Sequence, residues 1–276
     1  MSIKETIKKR NKQMRLSAER AAINAVAEVG VDVLCAPPQL KNAKRVLFVQ
    51  PHPDDNQIGA GGTMAWLVSL GVEVYELTVT DDRYADPSYK GKENEVVTTR
   101  QKEAMAAQKY LGVKNAGFLG FADKTRASVD EISQAILPVI RKIKPDFVLT
   151  VDPTLVSECH SDHIKVGTAV KYACIDSWCN FYPDFKEDGS FRDDTWKCQG
   201  IGFYYTDKPN TLIDISDFEE KKMESILLHK SQYDAALTLA IRLQQQFFAK
   251  GTEFKAAEPL RLQSALQMHC FNLPIE

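Results

Sequence analysis

The sequence lacks the long hydrophobic run and the one-sided charge that would place a protein in a membrane or on nucleic acid. No apolar stretch among the 276 residues approaches the roughly 20 residues that a membrane-spanning helix needs. The formal net charge is only −2, so no long-range field draws the chain to nucleic acid or anionic lipid. We therefore expect neither a nucleic-acid partner nor a membrane partner.

Closely paired cysteines are also missing. The six cysteines form neither a metal-binding pair nor a dense disulfide framework; they lie at positions 35, 159, 174, 179, 198 and 270. The basic N-terminal segment is not followed by the apolar core of a cleaved signal, so a reducing, cytoplasmic location is expected. Cys159 adjoins a candidate site residue, His160, and we interpret it as a packing residue, with zinc ligation as the alternative.

Predicted strands and helices alternate through most of the chain. Strands are predicted at residues 46–50, 72–79, 116–119 and 147–151, and helices at residues 62–70, 96–111, 129–143 and 164–177. This order predicts an α/β fold with a Rossmann-like, mostly parallel sheet and helices on both faces. A charged helix at residues 3–29 precedes it, so we predict an N-terminal helical extension (1–40) and a single α/β domain (41–276).

The pattern changes in the last third of the sequence. Residues 179–199 are polar and aromatic and are predicted to form an ordered excursion. Two further strands are predicted at residues 201–206 and 211–215, and a long helical region, broken near Gln232, at residues 217–248. These elements predict a C-terminal β/helical extension of the domain.

The segment that ends the first predicted strand, Pro51-His-Pro-Asp-Asp55, carries the strongest chemical signal. It places His52, Asp54 and Asp55 at the carboxyl end of a strand, where open α/β sheets bind their ligands. Helix capping could explain one carboxylate, but not a histidine together with two carboxylates. The small-residue turn after it invites a dinucleotide-binding interpretation, but the glycine spacing is wrong, and we expect these glycines to let a helix pack against the sheet.

A second motif, His160-Ser-Asp-His163, follows another predicted strand and completes a metal site. Together the two motifs offer His52, Asp55 and His163 as three ligands, which leaves the fourth zinc position open for water, as in catalytic sites. Asp54 and His160 then remain free for proton transfer and for stabilising developing charge. The residues therefore predict metal-assisted hydrolysis.

These motifs resemble the zinc-dependent deacetylases of the PIG-L/LmbE family. The resemblance rests on residues 51–55 with Gly61-Gly-Thr63, and on His160-Ser-Asp-His163. Within the family the chain looks most like the N,N'-diacetylchitobiose deacetylases. Further matches are Thr80-Asp81, Arg100, Asp123, Glu158, Tyr204-Tyr-Thr-Asp-Lys-Pro-Asn210 and His229-Lys-Ser-Gln232. Asp82 followed by Arg83 departs from a common glycine beside the cleft, which puts sugar specificity in doubt more than catalysis.

The resemblance implies a role for each matching residue. It implies Zn²⁺ as cofactor, with the ligands His52, Asp55 and His163. Asp54 would be the general base, and His160, oriented by Asp162, would assist the oxyanion and the departing amine. Whether Asp54 or His160 protonates that amine stays open.

Substrate contacts are also implied by the resemblance. Arg100 and Asp123 match positions that hold sugar hydroxyls in relatives, although Arg100 with Glu103 could be only a surface ion pair and Asp123 only a loop or cap residue. His269 matches a histidine that reaches a neighbouring subunit's site, so we expect a homo-oligomer, a trimer or a hexamer. A packing role for His269 is the alternative.

We therefore predict an enzyme that removes the acetyl group from an N-acetylglucosamine-type sugar or chito-oligosaccharide and releases acetate. Two alternatives remain open at this point. One is a family amidase that acts on a thiol- or antibiotic-linked glycoside, and the other is a non-catalytic sugar- or metal-binding homologue. Retention of Asp54 beside all three predicted ligands argues against the second alternative.

Overall fold

A computed structural model of the chain describes residues 3–30, 36, 39–85, 91–182 and 189–269. The chain divides into two compact units, Met1–Pro37 and Pro38–Glu276. The first unit contains helix α1 (Ile3–Val29), which matches the predicted helix. Among the described residues, no helix is both long enough and apolar enough to cross a membrane.

The second unit contains seven strands and six α-helices within its described part. They are β1 (Arg45–Gln50), α2 (Asp55–Ser69), β2 (Glu73–Thr80), α3 (Glu93–Leu111), β3 (Lys114–Phe121), α4 (Val129–Ile143), β4 (Phe147–Val151), α5 (Ser161–Asp176), β5 (Gly200–Tyr204), β6 (Thr211–Asp214), α6 (Glu219–Leu227), α7 (Ala235–Ala249) and β7 (Ala257–Ser264). The break predicted near Gln232 is confirmed, since residues 228–234 separate α6 from α7.

The strands form one mixed sheet in the order β3-β2-β1-β4-β5-β7-β6. The first five strands of this order are parallel, and β7 runs antiparallel to both β5 and β6. The predicted Rossmann-like, mostly parallel sheet is therefore confirmed. Strands β2 and β3 lie on one side of β1, and strands β4 and β5 lie on its other side. The strand order therefore reverses between β1 and β4.

Both faces of the sheet are covered, as the alternation of side chains in β1 illustrates. Val46 and Phe48 join a buried cluster with residues of α2, whereas Leu47 and Val49 join a second cluster with residues of α4 and α5. Parallel sheets covered on both faces are buried throughout, which explains the continuous apolar runs in their strands. The sheet is thus a rigid platform for groups placed at its strand ends.

Three helices, α2, α3 and α5, begin earlier than the sequence predicts, and the corrections to α2 and α5 concern the site. Helix α2 begins at Asp55 rather than near residue 62, and the segment interpreted as a small-residue turn is helical apart from a kink at Ala60, whose φ angle is −148°. A Cβ atom on Gly59 would lie 2.2 Å from the Tyr204 ring, which confirms that this glycine permits close packing of the helix on the sheet. Helix α5 begins at Ser161 rather than after the histidine pair, so His163 lies in its first turn.

Strand β7, which separates β5 from β6 in the sheet, is not predicted from the sequence. Its strand pattern is interrupted by Pro259 and by Glu258, a charged residue that is only 1% exposed. A buried charge is rare unless it is paired, so the residue type alone argues for solvent exposure. The pairing partner lies 36 residues away in the sequence.

That partner is Lys222 of α6, whose Nζ donates to Glu258 at 2.7 Å. The same carboxylate accepts the backbone N–H of Gly62 at 2.9 Å and both the N–H and the hydroxyl of Thr63, at 2.7 and 2.6 Å. The pair therefore joins α2, α6 and β7 through one buried anion. Removing either charge would leave the other buried without compensation.

We predict that Lys222→Met lowers the free energy of unfolding by about 3–5 kcal/mol, the usual result of breaking a buried ion pair. The measurement is urea unfolding followed by circular dichroism. Lys114→Met is the matched control, because the Lys114–Glu73 pair is exposed and its loss should change stability little. Adding Glu258→Gln to Lys222→Met should recover part of the loss. Equal effects of the two lysine variants would contradict this account.

Candidate metal centre

The candidate site lies where β1 and β4 end side by side. The two strands are parallel neighbours at the point where the strand order reverses. Such a reversal opens a crevice at the carboxyl ends of the strands, and ligands of open α/β sheets bind there. Residues 51–55 follow β1 and residues 152–163 follow β4, so both predicted motifs reach the same crevice.

Asp55 lies between two of the other predicted ligands. Its Oδ2 atom lies 3.3 Å from Nδ1 of His52, and its Oδ1 atom lies 3.4 Å from Nε2 of His163. Oδ2 also accepts the backbone N–H of His52 at 2.9 Å. The structure therefore brings together the three side chains that the sequence suggests as a ligand set.

Further donor atoms lie around His52. Nitrogen atoms of His52, His160 and His163 are all within 4.8 Å of one another, and donor atoms of His52, Asp123 and Asp162 form a second group of this kind. The described residues thus form a His/Asp site that could hold a metal ion. Because His52 belongs to both groups, the choice of ligands among these residues stays a prediction.

Glu158 orients the histidine that follows it in the first turn of α5. Its Oε2 atom lies 2.8 Å from Nδ1 of His163, and its Oε1 atom accepts the backbone N–H of His160 at 2.7 Å. A carboxylate on Nδ1 fixes the imidazole so that Nε2 is free to bind a metal, as in many carboxylate–histidine–metal arrangements. Glu158 was indicated by the sequence only through the family resemblance, although its position two residues before His160 could have suggested this role.

The polar atoms around His52 fit a cation. His52 is only 8% exposed, and its Nε2 atom lies 3.4 Å from Oδ1 of Asp123 and 3.5 Å from Oδ2 of Asp162, although neither Nε2 nor Oδ1 of Asp123 has a well-formed hydrogen bond among the described residues. Burial opposes a charge on His52, but the carboxylates of Asp123, Asp162 and Asp55 raise its pKa to about 12. The surroundings therefore favour positive charge at this point, which a divalent metal ion would supply.

Asp54 is held in an unusual backbone conformation beside this cluster. Its φ angle is +125°, a region that side-chain-bearing residues rarely adopt, and such conformations concentrate at functional sites. Gln50 supports the turn, since its Oε1 atom accepts the backbone N–H groups of Asp54 at 3.4 Å and Asn56 at 2.9 Å. The Gln50 amide in turn donates to the buried Glu76 at 3.1 Å.

The side chain of Asp54 is buried and has a raised pKa. Burial raises the pKa of Asp54 to about 7, with additional repulsion from Asp55 and Asp82, while the positive charge of Arg100 opposes the rise. A carboxyl group that titrates near neutral pH suits general acid–base catalysis. Asp54 is therefore a candidate proton acceptor by its chemistry as well as by its position.

Arg100 is a buried structural partner of that carboxylate. It is 1% exposed, and its guanidinium donates to Asp54 at 2.6 Å, to Asp82 at 2.6 Å and to the carbonyl of Pro53. The alternative of a surface ion pair with Glu103 is therefore wrong, although Glu103 does accept from Arg100 at 3.2 Å. All three guanidinium nitrogens already bind protein groups, so contact between Arg100 and a substrate stays a prediction.

The loop between α6 and α7 contributes a further residue, Ser231, to this network. Glu103 accepts the backbone N–H of Ser231 at 2.9 Å and its hydroxyl at 2.7 Å. A continuous chain of hydrogen bonds therefore runs from Ser231 through Glu103 and Arg100 to Asp54. Sequence analysis could not identify this chain, because Ser231 and Glu103 are 128 residues apart.

Asp162 is buried beside His160, but its carboxylate has other partners. It accepts the backbone N–H groups of Lys124 at 2.7 Å and Thr125 at 3.1 Å, which ties the loop after β3 to the start of α5. The contact with His160 runs through the backbone, since the N–H of Asp162 donates to Nδ1 of His160 at 3.3 Å. If Asp162 orients His160, as predicted, it does so through this backbone N–H and not through its carboxylate.

Tyr205, which the sequence analysis quoted only within a family match, also contacts the site. Its ring is nearly parallel to that of His163, with centroids 6.2 Å apart, and its hydroxyl donates to the carbonyl of Asp55 at 3.3 Å. Its φ angle of +53° is a further positive value at the site. The aromatic side chain therefore forms part of the wall beside two of the predicted ligands.

His269 lies outside its own chain's site. It lines a cavity with Cys174, Trp178 and Cys198, near the end of α5 and the start of β5. This is the edge of the sheet opposite the strand ends that carry the motifs. Any contact of His269 with a substrate therefore has to involve a neighbouring subunit, as the sequence analysis expected, and this contact stays a prediction.

The chain is similar to known deacetylases. The model of the PIG-L family, described as GlcNAc-PI de-N-acetylase, matches residues 47–174. A diacetylchitobiose deacetylase from Thermococcus kodakarensis is 32% identical over 237 residues, which cover 83% of this chain and 86% of that protein. A probable N-acetyl-alpha-D-glucosaminyl L-malate deacetylase 2 from Bacillus anthracis is 25% identical, with 80% and 95% covered.

A solved structure shows the same similarity. The N,N'-diacetylchitobiose deacetylase from Pyrococcus horikoshii, complexed with its inhibitor MPG, superposes with a TM-score of 0.75. It is 30% identical in sequence, and the match covers 83% of this chain and 87% of that one. The likeness therefore extends over most of both chains, including the sheet that carries the site.

We predict that His229, which is fully buried near Arg100, makes stability depend on pH. Burial and then the charge of Arg100 lower the pKa of His229 from 6.5 to about 3, and neither ring nitrogen has a partner among the described residues. Between these pH values only the unfolded chain protonates His229, so the free energy of unfolding falls as the pH drops below 6.5.

The test compares metal-free wild type with His229→Gln, which cannot titrate, by urea unfolding at several pH values. The wild type should lose up to about 1.4 kcal/mol more per pH unit than the variant between about pH 6 and pH 4. Above pH 6.5 the two proteins should show no difference in slope. Parallel curves across the acidic range would show that His229 is not buried in its neutral form.

Proposed function

The chain belongs to the PIG-L family, and from this premise we propose that it removes the acetyl group from an N-acetylglucosamine-type sugar and releases acetate. The family predicted from the two motifs is confirmed, and with it the assignment as a deacetylase. The observation that carries the proposed reaction is the contact of Asp55 with both His52 and His163. Asp54 lies beside them and forms an ion pair with Arg100.

We propose that His52, Asp55 and His163 hold one zinc ion. Two imidazoles and one carboxylate are a ligand set that suits zinc, and they leave a position open for water or substrate. The contact of 3.3 Å between Nδ1 of His52 and Asp55 and the orientation of His163 by Glu158 support this assignment. When bound, the metal would activate a water molecule and polarise the carbonyl of the amide.

We propose that Asp54 accepts the proton of the attacking water. Its pKa near 7 allows it to hold that proton and to release it again at neutral pH. Arg100 and the turn supported by Gln50 fix the carboxylate in place, so that the distance to the reacting atoms does not depend on a mobile side chain. We therefore assign Arg100 a positioning role.

His160 is proposed to donate a hydrogen bond to the oxyanion that forms on the amide carbonyl. Because its Nδ1 accepts a backbone N–H, the neutral ring carries its proton on Nε2. Burial lowers the pKa of His160, so it acts as a neutral donor at pH 7. A neutral His160 has no proton to spare, so we propose that the proton Asp54 takes from the attacking water passes on to the departing amine.

The named relatives support the class of substrate. They are a diacetylchitobiose deacetylase and a probable N-acetyl-alpha-D-glucosaminyl L-malate deacetylase, both named for N-acetylated amino sugars. Asp123, buried beside His52 with one oxygen unpartnered among the described residues, is proposed to bind a sugar hydroxyl. A homo-oligomer in which His269 reaches a neighbour's substrate, and a cytoplasmic location, stay predictions.

We predict that the zinc-loaded protein releases acetate and a primary amine in equal amounts from N-acetylglucosamine or its β-linked dimer. Asp54→Asn should keep the metal but lose about 10²–10⁴-fold in kcat, the usual value of general-base catalysis. Asp130→Asn, which changes an exposed aspartate on α4, is the control. Zinc binding without turnover of any amino sugar or amide conjugate would favour a non-catalytic homologue.

A separate prediction concerns the ligands. His163→Ala should lower the zinc content of the purified protein severely and abolish activity, because it removes one of three proposed ligands. Cys159→Ser is the matched control, since this exposed thiol lies next to His160 in the sequence and donates to the carbonyl of Ser157. Metal content is measured by mass spectrometry after dialysis. Unchanged zinc in His163→Ala, or lost zinc in Cys159→Ser, would overturn the ligand set.

A further inference from the structure

Four buried polar side chains meet next to the turn that holds Asp54. They are Gln50 of β1, Gln57 of α2, Glu76 of β2 and Gln108 of α3, and each is at most 2% exposed. Polar groups buried to this extent are hydrogen-bonded, and inside a protein such bonds constrain the orientation of every member. We call this group the Glu76 network.

Glu76 lies at the centre of the network and accepts hydrogen bonds from three amides. Its Oε1 atom accepts from Nε2 of Gln50 at 3.1 Å and of Gln108 at 2.8 Å, and its Oε2 atom accepts from Nε2 of Gln57 at 2.8 Å. Burial raises the pKa of Glu76, and the neighbouring amides oppose the rise. Because these recorded partners are all amides, no salt bridge among the described residues explains why a carboxyl group is buried here.

The amide of Gln50 has a fixed direction, because a backbone N–H can only donate. Its Oε1 atom accepts the N–H groups of Asp54 at 3.4 Å and Asn56 at 2.9 Å, so its Nε2 atom must point the other way. There it donates to Glu76 and, at 2.9 Å, to the hydroxyl of Thr78. A hydroxyl can donate as well as accept, whereas Glu76 accepts from each amide it contacts. Glu76 is therefore the group that selects this direction.

The direction of the Gln50 amide matters for the proposed base. The φ angle of Asp54 is +125°, and a side-chain-bearing residue keeps such a conformation only when its surroundings hold it there. Arg100 holds the carboxylate of Asp54 at 2.6 Å, and Gln50 holds its backbone. Losing the backbone contact would let the turn relax, and a displacement of about 1 Å can cost about 10²-fold in rate.

We propose that Glu76 is a positioning residue for Asp54: by accepting from the Gln50 amide, it keeps the carbonyl oxygen of that amide on the turn and the proposed base at its reacting distance. This inference rests on the proposed role of Asp54 as general base. It adds a residue of the neighbouring strand that acts on the reaction through Gln50. The competing interpretation is that Glu76 only stabilises the fold.

Three variants separate these interpretations. Glu76→Met removes the acceptor and keeps an unbranched side chain of similar length. Glu76→Gln keeps a carbonyl acceptor for Gln50, and its new NH₂ group can donate to Oε1 of Gln57, which has no partner among the described residues. Gln108→Met is the matched control, because it breaks another hydrogen bond to the same oxygen of Glu76, and no hydrogen bond joins Gln108 to the turn among the described residues.

The zinc-loaded wild type and variants are assayed for amine release from N-acetylglucosamine and its β-linked dimer. Glu76→Met should lower kcat by about tenfold or more and change KM by less than about threefold, because the base is displaced while substrate binding is not. Glu76→Gln and Gln108→Met should keep kcat within about twofold of the wild type. Gln108→Met should nevertheless unfold at a lower urea concentration, since it removes a buried hydrogen bond.

Equal losses of kcat in Glu76→Met and Gln108→Met, or no loss in Glu76→Met, would overturn the proposal. A reduced zinc content of Glu76→Met, measured by mass spectrometry, would also overturn it, since Glu76 would then support the ligands and not the base. Circular dichroism checks that each variant is folded, and Glu76→Leu is the second variant that removes the acceptor.

A double-mutant cycle tests whether Glu76 acts through Gln50. Gln50→Met should lower kcat at least as much as Glu76→Met, and adding Glu76→Met to it should lower kcat by less than about twofold further. Losses that multiply would show that the two residues act independently and would contradict the proposal. Unchanged kcat in Gln50→Met would overturn it whether or not the variants of Glu76 fold.

Failure of this inference is distinguishable from failure of the proposed function. If the wild type releases amine and Asp54→Asn is impaired, but Glu76→Met is not, the inference fails alone. If the zinc-loaded wild type releases no amine from either sugar, the deacetylase proposal fails and this inference fails with it.

Discussion

Buried negative charge at one edge of the sheet is the constraint on which the site depends. Five carboxylates there, each less than a tenth exposed, lie against His52 or Arg100: Asp54, Asp55, Asp82, Asp123 and Asp162. Carboxylates that lose their hydration need positive charge or hydrogen-bond donors nearby. Arg100 supplies a permanent charge to Asp54 and Asp82, and backbone N–H groups satisfy Asp162. The remaining charge surrounds His52, and a divalent cation would balance it.

The fold places the opposing groups of the site on separate supports. The turn that holds Asp54 is hydrogen-bonded to Gln50, which in turn is hydrogen-bonded to Glu76 inside the sheet. Arg100 comes from α3, and Glu103 links it by hydrogen bonds to the loop after α6. His163 comes from α5 and is oriented by Glu158. Because each support is anchored in a different layer, the polar groups can stay close together despite their mutual repulsion.

The proximity of the two motifs could be predicted from the sequence, because the carboxyl ends of parallel strands lie at a common edge of the sheet. The contact of Asp55 with His52 and His163 follows from that rule. The remaining parts depend on long-range pairing, which residue types do not reveal. By residue type these parts look like surface residues or loops: the Arg100–Glu103 pair, the glycines within α2, and Glu258 in strand β7.

The most direct test of the account is a crystal structure of the zinc-loaded protein with anomalous diffraction data at the zinc edge. We expect one anomalous peak that contacts the side chains of His52, Asp55 and His163, with Asp54 remaining on Arg100 and not bound to the ion. The described residues also contain a group of three histidine rings, His52, His160 and His163, whose nitrogens lie within 4.8 Å of one another. A peak bound by His160 in place of Asp55, or by Asp54, would contradict the assignment of ligands and base.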